Sequence, residues 1–407
     1  MSKKAIVAFS GGLDTSMLVP YMRDKYGVDE VVTCNVDTGS MSAEEIAGVK
    51  ARAVEVGTDE HVHVDAAQDF YNEIVKYLIF GNVSRDGYPL CVGAERLIQA
   101  RETMRIAREK GADIIVHGST GAGNDQYRFD LVAYVMGQAN KEKGWEALKI
   151  LAPVREDGIK REFSQNYLRE RGISVSEKTA YSYNVGLWGV SIGGKETHTA
   201  NGLIPEDAWY AQIDPAISDA VIDLYFENGE PVRLVHDDKI INGALDVIRT
   251  LGALGGRLGI GRHYHVGTSI PGKKGRLAYE SPAADILYEA HATLEKLTLT
   301  QAQIFFKKSV ATEFGRLIHE AKFFDPLLDN LRAFLKNSQK RVSGKARVYL
   351  KPSRIVAVTI DAPYDLLSAA GSVYGEYADF YSATDAVGSS KISAYEQVIY
   401  QSLEKKS

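Results

Sequence analysis

The first 170 residues alternate apolar runs with stretches of helical period. Ala5–Phe9, Val31–Val36, His61–Val64, Asp113–His117 and Leu148–Val154 read as strands, the first unbroken enough to be buried on both faces. Helical patterns fill Thr15–Tyr26, Ala43–Val56, Asp69–Phe80 and Ala94–Lys110. Strands alternating with helices predict an α/β fold, a parallel doubly wound sheet with helices on both faces. After about Gly172 the texture changes. A long glycine-bearing stretch, Tyr181 to Pro205, precedes a hairpin of Ala220–Phe226 and Pro231–His236 around Asn228-Gly229-Glu230. Helices are expected at Ile241–Leu254, Ala284–Leu297, Gln301–Glu320 and Leu328–Lys336. A second hairpin, Ala346–Leu350 with Ile355–Ile360, turns at Lys351-Pro352-Ser353. This part reads as a second, α+β domain. Leu366–Ser390 is poor in pattern, and then Ile392, Tyr395, Ile399 and Leu403 form one helical stripe. Such a stripe docks on its own domain or, at the end of an irregular arm, on a neighbouring subunit. The division expected is 1–172, 173–365 and 366–407.

Composition narrows the class. A 407-residue chain with 45% hydrophobic and 25% charged residues has the balance of a soluble globular protein. Its net charge of −5 supplies no global basic field for nucleic acid or an anionic membrane. Cys34 and Cys91 form no metal-ligand spacing, and the apolar run in MSKKAIVAF is too short for a signal peptide. A reducing cytoplasm is the expected setting.

In open parallel sheets, ligands bind beyond the carboxyl ends of the strands. Three polar clusters fall there: Ser10-Gly11-Gly12-Leu13-Asp14-Thr15-Ser16, then Asp37-Thr38-Gly39, then the loop from His117 to Phe129. The first joins a strand to a helix through two glycines. The unpaired amides and dipole of a helix start favour phosphate oxygens, so it reads as an anion cradle. Asp14 beside a phosphate is repulsive unless a divalent cation lies between them. The lysine of a Walker A loop is missing. In the third cluster, three glycines allow close backbone approach, and Asn124, Asp125 and Arg128 offer an amide, a carboxylate and a guanidinium within one helical turn. They suit an amino-acid zwitterion beside a nucleotide, Arg128 gripping a carboxylate and Asp125 an ammonium. Alternatively, Asp125 and Arg128 pair with each other.

SGGLDTS resembles the pyrophosphate loop of the ATP pyrophosphatases. Taken with GSTGAGNDQ, Tyr88-Pro89-Leu90 and Arg96, Tyr181-Ser182 with Leu187-Trp188-Gly189 and Ser191, Gly255-Gly256-Arg257, Gly259-Ile260-Gly261-Arg262, Tyr279-Glu280-Ser281-Pro282 and Arg341-Val342-Ser343-Gly344, the chain resembles the argininosuccinate synthetase family over nearly its whole length. The resemblance implies an AMP-forming ligase. ATP adenylates a ureido oxygen with release of pyrophosphate, and the amine of aspartate then displaces AMP. It implies that Ser10, Gly11, Gly12, Asp14, Thr15 and Ser16 hold the pyrophosphate and Mg²⁺, with Asp14 facing the metal. Ala8 and Thr38 would lie near adenosine, and Gly118 would line the nucleotide. Thr120, Asn124 and Asp125 would hold aspartate. Tyr88, Asn124, Arg128, Ser182, Ser191 and Tyr279 would face the acceptor, citrulline in the family. Asp14, Ser10 and Arg128 are the residues expected at the reacting centre. A cytoplasmic homotetramer using only small molecules, with no nucleic acid and no membrane, is implied as well.

The departures from the family pattern cluster in the acceptor pocket. Gly93 stands for a serine, Asn184 for an aspartate, Gly186 for an asparagine, Gly193 for a glutamate, and Gly267 for the glutamate expected to hold the ammonium of citrulline. Ala122 replaces a lysine in the third cluster. A buried ammonium without its carboxylate is costly, and glycines remove volume. Two acceptors are therefore expected to compete: citrulline itself, and a larger or N-acylated relative without the free ammonium. A tRNA-modifying ATP pyrophosphatase shares the first loop but calls for a cysteine pair and a basic appendage. A non-catalytic binding protein would keep the fold and lose the loop. His61/His63 and His263/His265 read as packing or surface residues rather than zinc ligands, and Lys273-Lys274 with Arg276 as a solvated loop.

Overall fold

The computed structural model describes residues 2–121, 123–175, 180–371, 373, 375 and 380–404. Its first sheet is parallel and built from β1 (Lys4–Ala8), β2 (Glu30–Asp37), β3 (Glu60–Asp65), β4 (Ile114–Val116) and β5 (Lys149–Leu151), in the order β3-β2-β1-β4-β5. Ile6 lies in register between Val32 and Ile115. Side chains of a strand alternate between faces, and here both faces are covered. Ala5, Val7 and Val31 pack with Met17, Leu18 and Leu168 from the helices Leu13–Tyr26 and Arg161–Arg169. Ile6, Val32 and Cys34 pack with Leu97, Ile98 and Met104 of the helix Glu95–Glu109. Burial on both sides is why β1 reads as a continuous apolar run. Strand order reverses between β1 and β4, so the first and third polar clusters open into one crevice.

The glycine-bearing stretch after residue 180 is a hairpin of β6 (Ser182–Gly186) and β7 (Gly189–Gly193). The chain then makes β8 (Ala220–Glu227), β9 (Glu230–His236) and β10 (Lys239–Asn242), followed by β11 (Arg262–Thr268), β12 (Lys274–Glu280), β13 (Gly344–Lys351) and β14 (Arg354–Asp361). They form an antiparallel sheet β10-β9-β8-β13-β14 and a smaller one, β11-β12-β7-β6. In β8 the alternate residues Ala220, Ile222, Leu224 and Phe226 are buried, the mark of a sheet packed on one side. Its turn to β9 uses Asn228 and Gly229, both at positive φ, as a two-residue hairpin requires.

Several boundaries move, each for a local reason. The fifth strand ends at Leu151 because Pro153 opens a helical turn, Pro153–Glu156. Asp69–Phe80 is helical but carries a π-helical turn, Tyr71–Val75. The helix expected from Ile241 starts at Ala244, since Ile241 pairs with Leu234 as part of an edge strand and Gly243 makes the turn at φ +89°. One apolar core runs from the parallel sheet through Leu78 and Ile79 into Leu287 and Phe314 of the second region. Beside it, Lys307 Nζ, buried, donates to Glu295 Oε2 at 2.5 Å and to the Phe80 carbonyl at 2.6 Å, while Asn82 and Gln339 complete the carboxylate's partners. This saturated network fixes the second region against the first. The C-terminal helix, Ala383–Glu404, leaves its stripe in solvent, with Ile392 78% and Leu403 61% exposed. No described helix is long and apolar enough to cross a membrane.

Candidate active site

A cavity of 850 Å³ lies at the carboxyl ends of β1 and β4, roofed by β6, β7, β11 and β12. At one end, the loop after β1 leads into the helix Leu13–Tyr26. Gly11 sits at φ +75°, where an L side chain is strained, and Gly12 caps the helix without a side-chain hydrogen bond. The hydroxyls of Ser10 and Thr15 are 3.2 Å apart, and the Gly12 amide points to Ser10 Oγ at 3.3 Å. Ser10, Gly12, Asp14, Thr15, Ala8 and Gly118 all line the cavity. Gly11 and Ser16 do not. Ser16 is buried, donating to the Gly11 carbonyl and accepting from Arg52 Nε at 2.9 Å, so it braces the loop from behind.

Asp14 Oδ1 accepts from Ser164 Oγ at 2.9 Å and has no cationic side chain within 4.0 Å among the described residues. No cluster of three His, Cys, Asp or Glu side chains able to hold a metal occurs among those residues. One carboxylate beside a phosphate cradle fits Mg²⁺, which takes one or two carboxylates and fills its shell from substrate phosphates and water. Arg161, at the start of the helix Arg161–Arg169, lines the same end and went unnoticed in the sequence, where it belongs to no motif. Ala122 lies outside the described residues.

The third cluster opens the helix Asp125–Ala139. Thr120, Asn124, Asp125 and Arg128 line the cavity together. Asp125 pairs with Arg96 Nε at 3.1 Å and with Arg128 Nη1 at 2.8 Å. Burial works against its charge, but the two guanidiniums hold the carboxyl below its ordinary range. The pairing of Asp125 with Arg128 is thus present, with Arg96 as a third member. Asn124 Oδ1 accepts the Ile270 amide at 2.9 Å, which ties this cluster to the β11–β12 loop. His117, before the cluster, is buried, with Nε2 2.9 Å from Asp130 Oδ1 and its ring stacked on Phe129.

The other end of the cavity, where the acceptor is expected, collects Tyr88, Ser182, Ser191, His265, Gly267 and His319. Tyr279 stands behind, edge-on to Tyr88, with its hydroxyl on the Gly87 carbonyl at 3.2 Å. Thr38 is buried and donates to Glu95 Oε2 at 2.9 Å, outside the cavity wall.

The four glycines expected to open this pocket are filled. A Cβ at Gly93 would lie 3.0 Å from Arg128 Nη2, and one at Gly193 would lie 2.9 Å from Ser182 Oγ. At Gly186 it would overlap Glu95 Oε1, and at Gly267 it would overlap His265 Nε2. Neighbouring side chains stand where a Cβ would go at all four, so these glycines leave no open space there. Glu95 is fully buried, with Oε1 unpartnered among the described residues. Burial, partly offset by Arg96, pushes its carboxyl up to about 7. Asn184 Oδ1 accepts from Arg96 Nη2 at 3.2 Å. Arg85 and His319 come from 234 residues apart, and no local pattern in the sequence marks either.

Two family models match the chain: an arginosuccinate synthase N-terminal HUP domain over residues 4–174, and an arginosuccinate synthase C-terminal domain over residues 181–400. Among similar proteins, the argininosuccinate synthase of Methanococcoides burtonii is 34% identical, covering 90% of this chain and 91% of its own. That of Archaeoglobus fulgidus is 35% identical over 90% and 91%. That of Xanthomonas campestris is 35% identical over 99% and 100%.

Proposed function

The chain belongs to the argininosuccinate synthase family, and from that premise we propose that it is an AMP-forming carbon–nitrogen ligase using ATP and aspartate on a ureido acceptor. One observation carries the reading: Ser10, Gly12, Asp14 and Thr15 after β1 and Thr120, Asn124, Asp125 and Arg128 after β4 line a single cavity. In the proposed reaction the ureido oxygen attacks the α-phosphorus of ATP and the bond to pyrophosphate breaks. The amine of aspartate, having lost its proton, then attacks the ureido carbon, and the carbon–oxygen bond breaks to release AMP. No side-chain nucleophile is needed. The site contributes alignment of the reacting groups and stabilisation of charge on the phosphates.

Ser10, Gly11, Gly12, Thr15 and Ser16 form and brace the cradle, and Ala8 and Gly118 flank the nucleoside, while Thr38, buried on Glu95 outside the wall, does not reach it. Asp14 is the residue that would hold Mg²⁺, which supplies charge neutralisation at the phosphates when bound. Thr120, Asn124 and Asp125 hold aspartate, and Tyr88, Arg128, Ser182, Ser191 and Tyr279 shape the acceptor pocket. The default acceptor is citrulline, giving argininosuccinate. The second reading, a modified acceptor, is favoured by the absence of an acidic side chain at Gly267. The exposed C-terminal stripe is read as a face between copies, consistent with a cytoplasmic homotetramer. The test is pyrophosphate release from ATP and Mg²⁺. It should require both aspartate and a ureido acid, and a requirement for RNA, or binding of ATP with no turnover, would sink the reading.

A further inference from the structure

At the end of the cavity where the acceptor is expected, two guanidiniums, Arg85 and Arg276, make no ion pair among the described residues; Arg276 spends its Nη1 on the carbonyls of Glu196, Thr199 and Gly202, and Arg85 is the more open. Arg85 Nη1 donates to the Thr268 carbonyl at 3.1 Å and to His319 Nε2 at 2.6 Å. His319 therefore accepts through Nε2 and is neutral, as expected of an imidazole buried beside two arginines. Its own carbonyl accepts from Arg128 Nη2 at 3.3 Å. No carboxylate lies within 4.0 Å of Arg85 among the described residues, whereas Arg96 and Arg128 share Asp125. The Nε and Nη2 of Arg85 make no hydrogen bond to a described residue, and together they form an edge that grips a carboxylate two-pronged.

The cavity wall around this edge holds no acid. Among the described residues its acidic side chains are Asp14, in the loop after β1, and Asp125, already shared by two arginines. Asp86, the next residue along, is exposed and is not part of the wall. Where a side chain at position 267 would enter, the ring of His265 stands instead, stacked on Tyr88 at 5.1 Å. Burial and Arg85 hold that imidazole below its ordinary range, the charge of Asp86 opposing them. An ammonium brought here meets a bare guanidinium and uncharged imidazoles. A carboxylate meets a matched pair of donors.

We infer that the acceptor is a ureido dicarboxylic acid whose α-nitrogen is acylated or absent, with its second carboxylate held by Arg85. This deepens the ligase reading and rests on it. The test measures kcat and KM for pyrophosphate release with citrulline, N-acetylcitrulline and N-succinylcitrulline, in the full chain and in Arg85→Gln and Arg85→Lys. N-succinylcitrulline should lead, exceeding citrulline in kcat/KM by about tenfold or more, the scale of one charge-assisted contact. Arg85→Gln should erase its lead over N-acetylcitrulline through KM, and Arg85→Lys, which keeps the charge and loses the two-pronged grip, should restore part of it. Citrulline as the best acceptor, or equal losses on all three in Arg85→Gln, overturns the inference and leaves the ligase reading standing. Turnover with none of them, while calorimetry shows ATP and aspartate bound, overturns both. The ranking by the unmodified chain decides the matter even if Arg85→Gln fails to fold.

Discussion

The two ends of the cavity are built in different ways. The phosphate end is made of consecutive residues: a strand, a glycine turn and a helix start, with Ser10, Gly12, Asp14 and Thr15 brought together by local geometry. Its chemistry comes from backbone amides and a helix dipole, which follow from the chain path alone. The acceptor end is assembled from Arg85, Tyr88, Ser182, His265 and His319, drawn from four separate segments. There the glycines mean the opposite of what they mean at the phosphate end. Gly11 permits a backbone angle, while Gly186 makes room for Glu95 from a distant helix and Gly267 for its own strand neighbour His265. Loss of a side chain in sequence is thus not a gain of space in the folded site, because interiors close-pack.

Three measurements press on this contrast. The largest effect is expected from Asp14→Ala, which removes the one carboxylate at the phosphate end. Turnover should fall on the order of 10²–10³-fold, the scale for losing one preorganised electrostatic contact, while thermal unfolding stays near that of the unaltered protein. Undiminished pyrophosphate release would break the assignment of the loop. Next comes Gly186→Ala, whose methyl group collides with the Glu95 carboxylate. Overpacking there should cost roughly 1–3 kcal/mol in denaturant unfolding, and adding Glu95→Ala should recover most of it. Equal stability of Gly186→Ala and the unaltered chain would mean that Glu95 does not occupy that space.

The smallest effect concerns acid. Burial and the charges of Arg128 and Arg85 push His319 down to about 3, whereas in the unfolded chain an imidazole titrates near 6.5. Between those values the unfolded state binds the extra proton, so stability falls as pH drops from about 6.5 toward 3. By pH 5.5 the loss from this one group is about 1 kcal/mol. His265 and His291 are also held low and act with the same sign. His319→Gln should therefore flatten the decline without abolishing it, and an unchanged slope would show that His319 is protonated in the folded site.

The sequence by itself determined the parallel sheet, the hairpins at Asn228-Gly229 and Pro352-Ser353, the glycine loop after β1 and the polar cluster that opens the helix Asp125–Ala139. Each is encoded by near neighbours: hydrophobic period for β1 and β8, positive-φ residues for the turns, glycines at a strand end for the cradle. Only the tertiary structure decided the acceptor end. That β6 and β7 exist at all depends on β12 pairing with β7, since Ser182–Gly193 lacks the alternation of an independent hairpin. Whether Arg128 reaches outward or lies against Gly93, and whether Arg85 has a partner, depends on residues up to 234 positions away. A charge takes its meaning from the groups within a few ångströms of it, and in this pocket chain order does not disclose them.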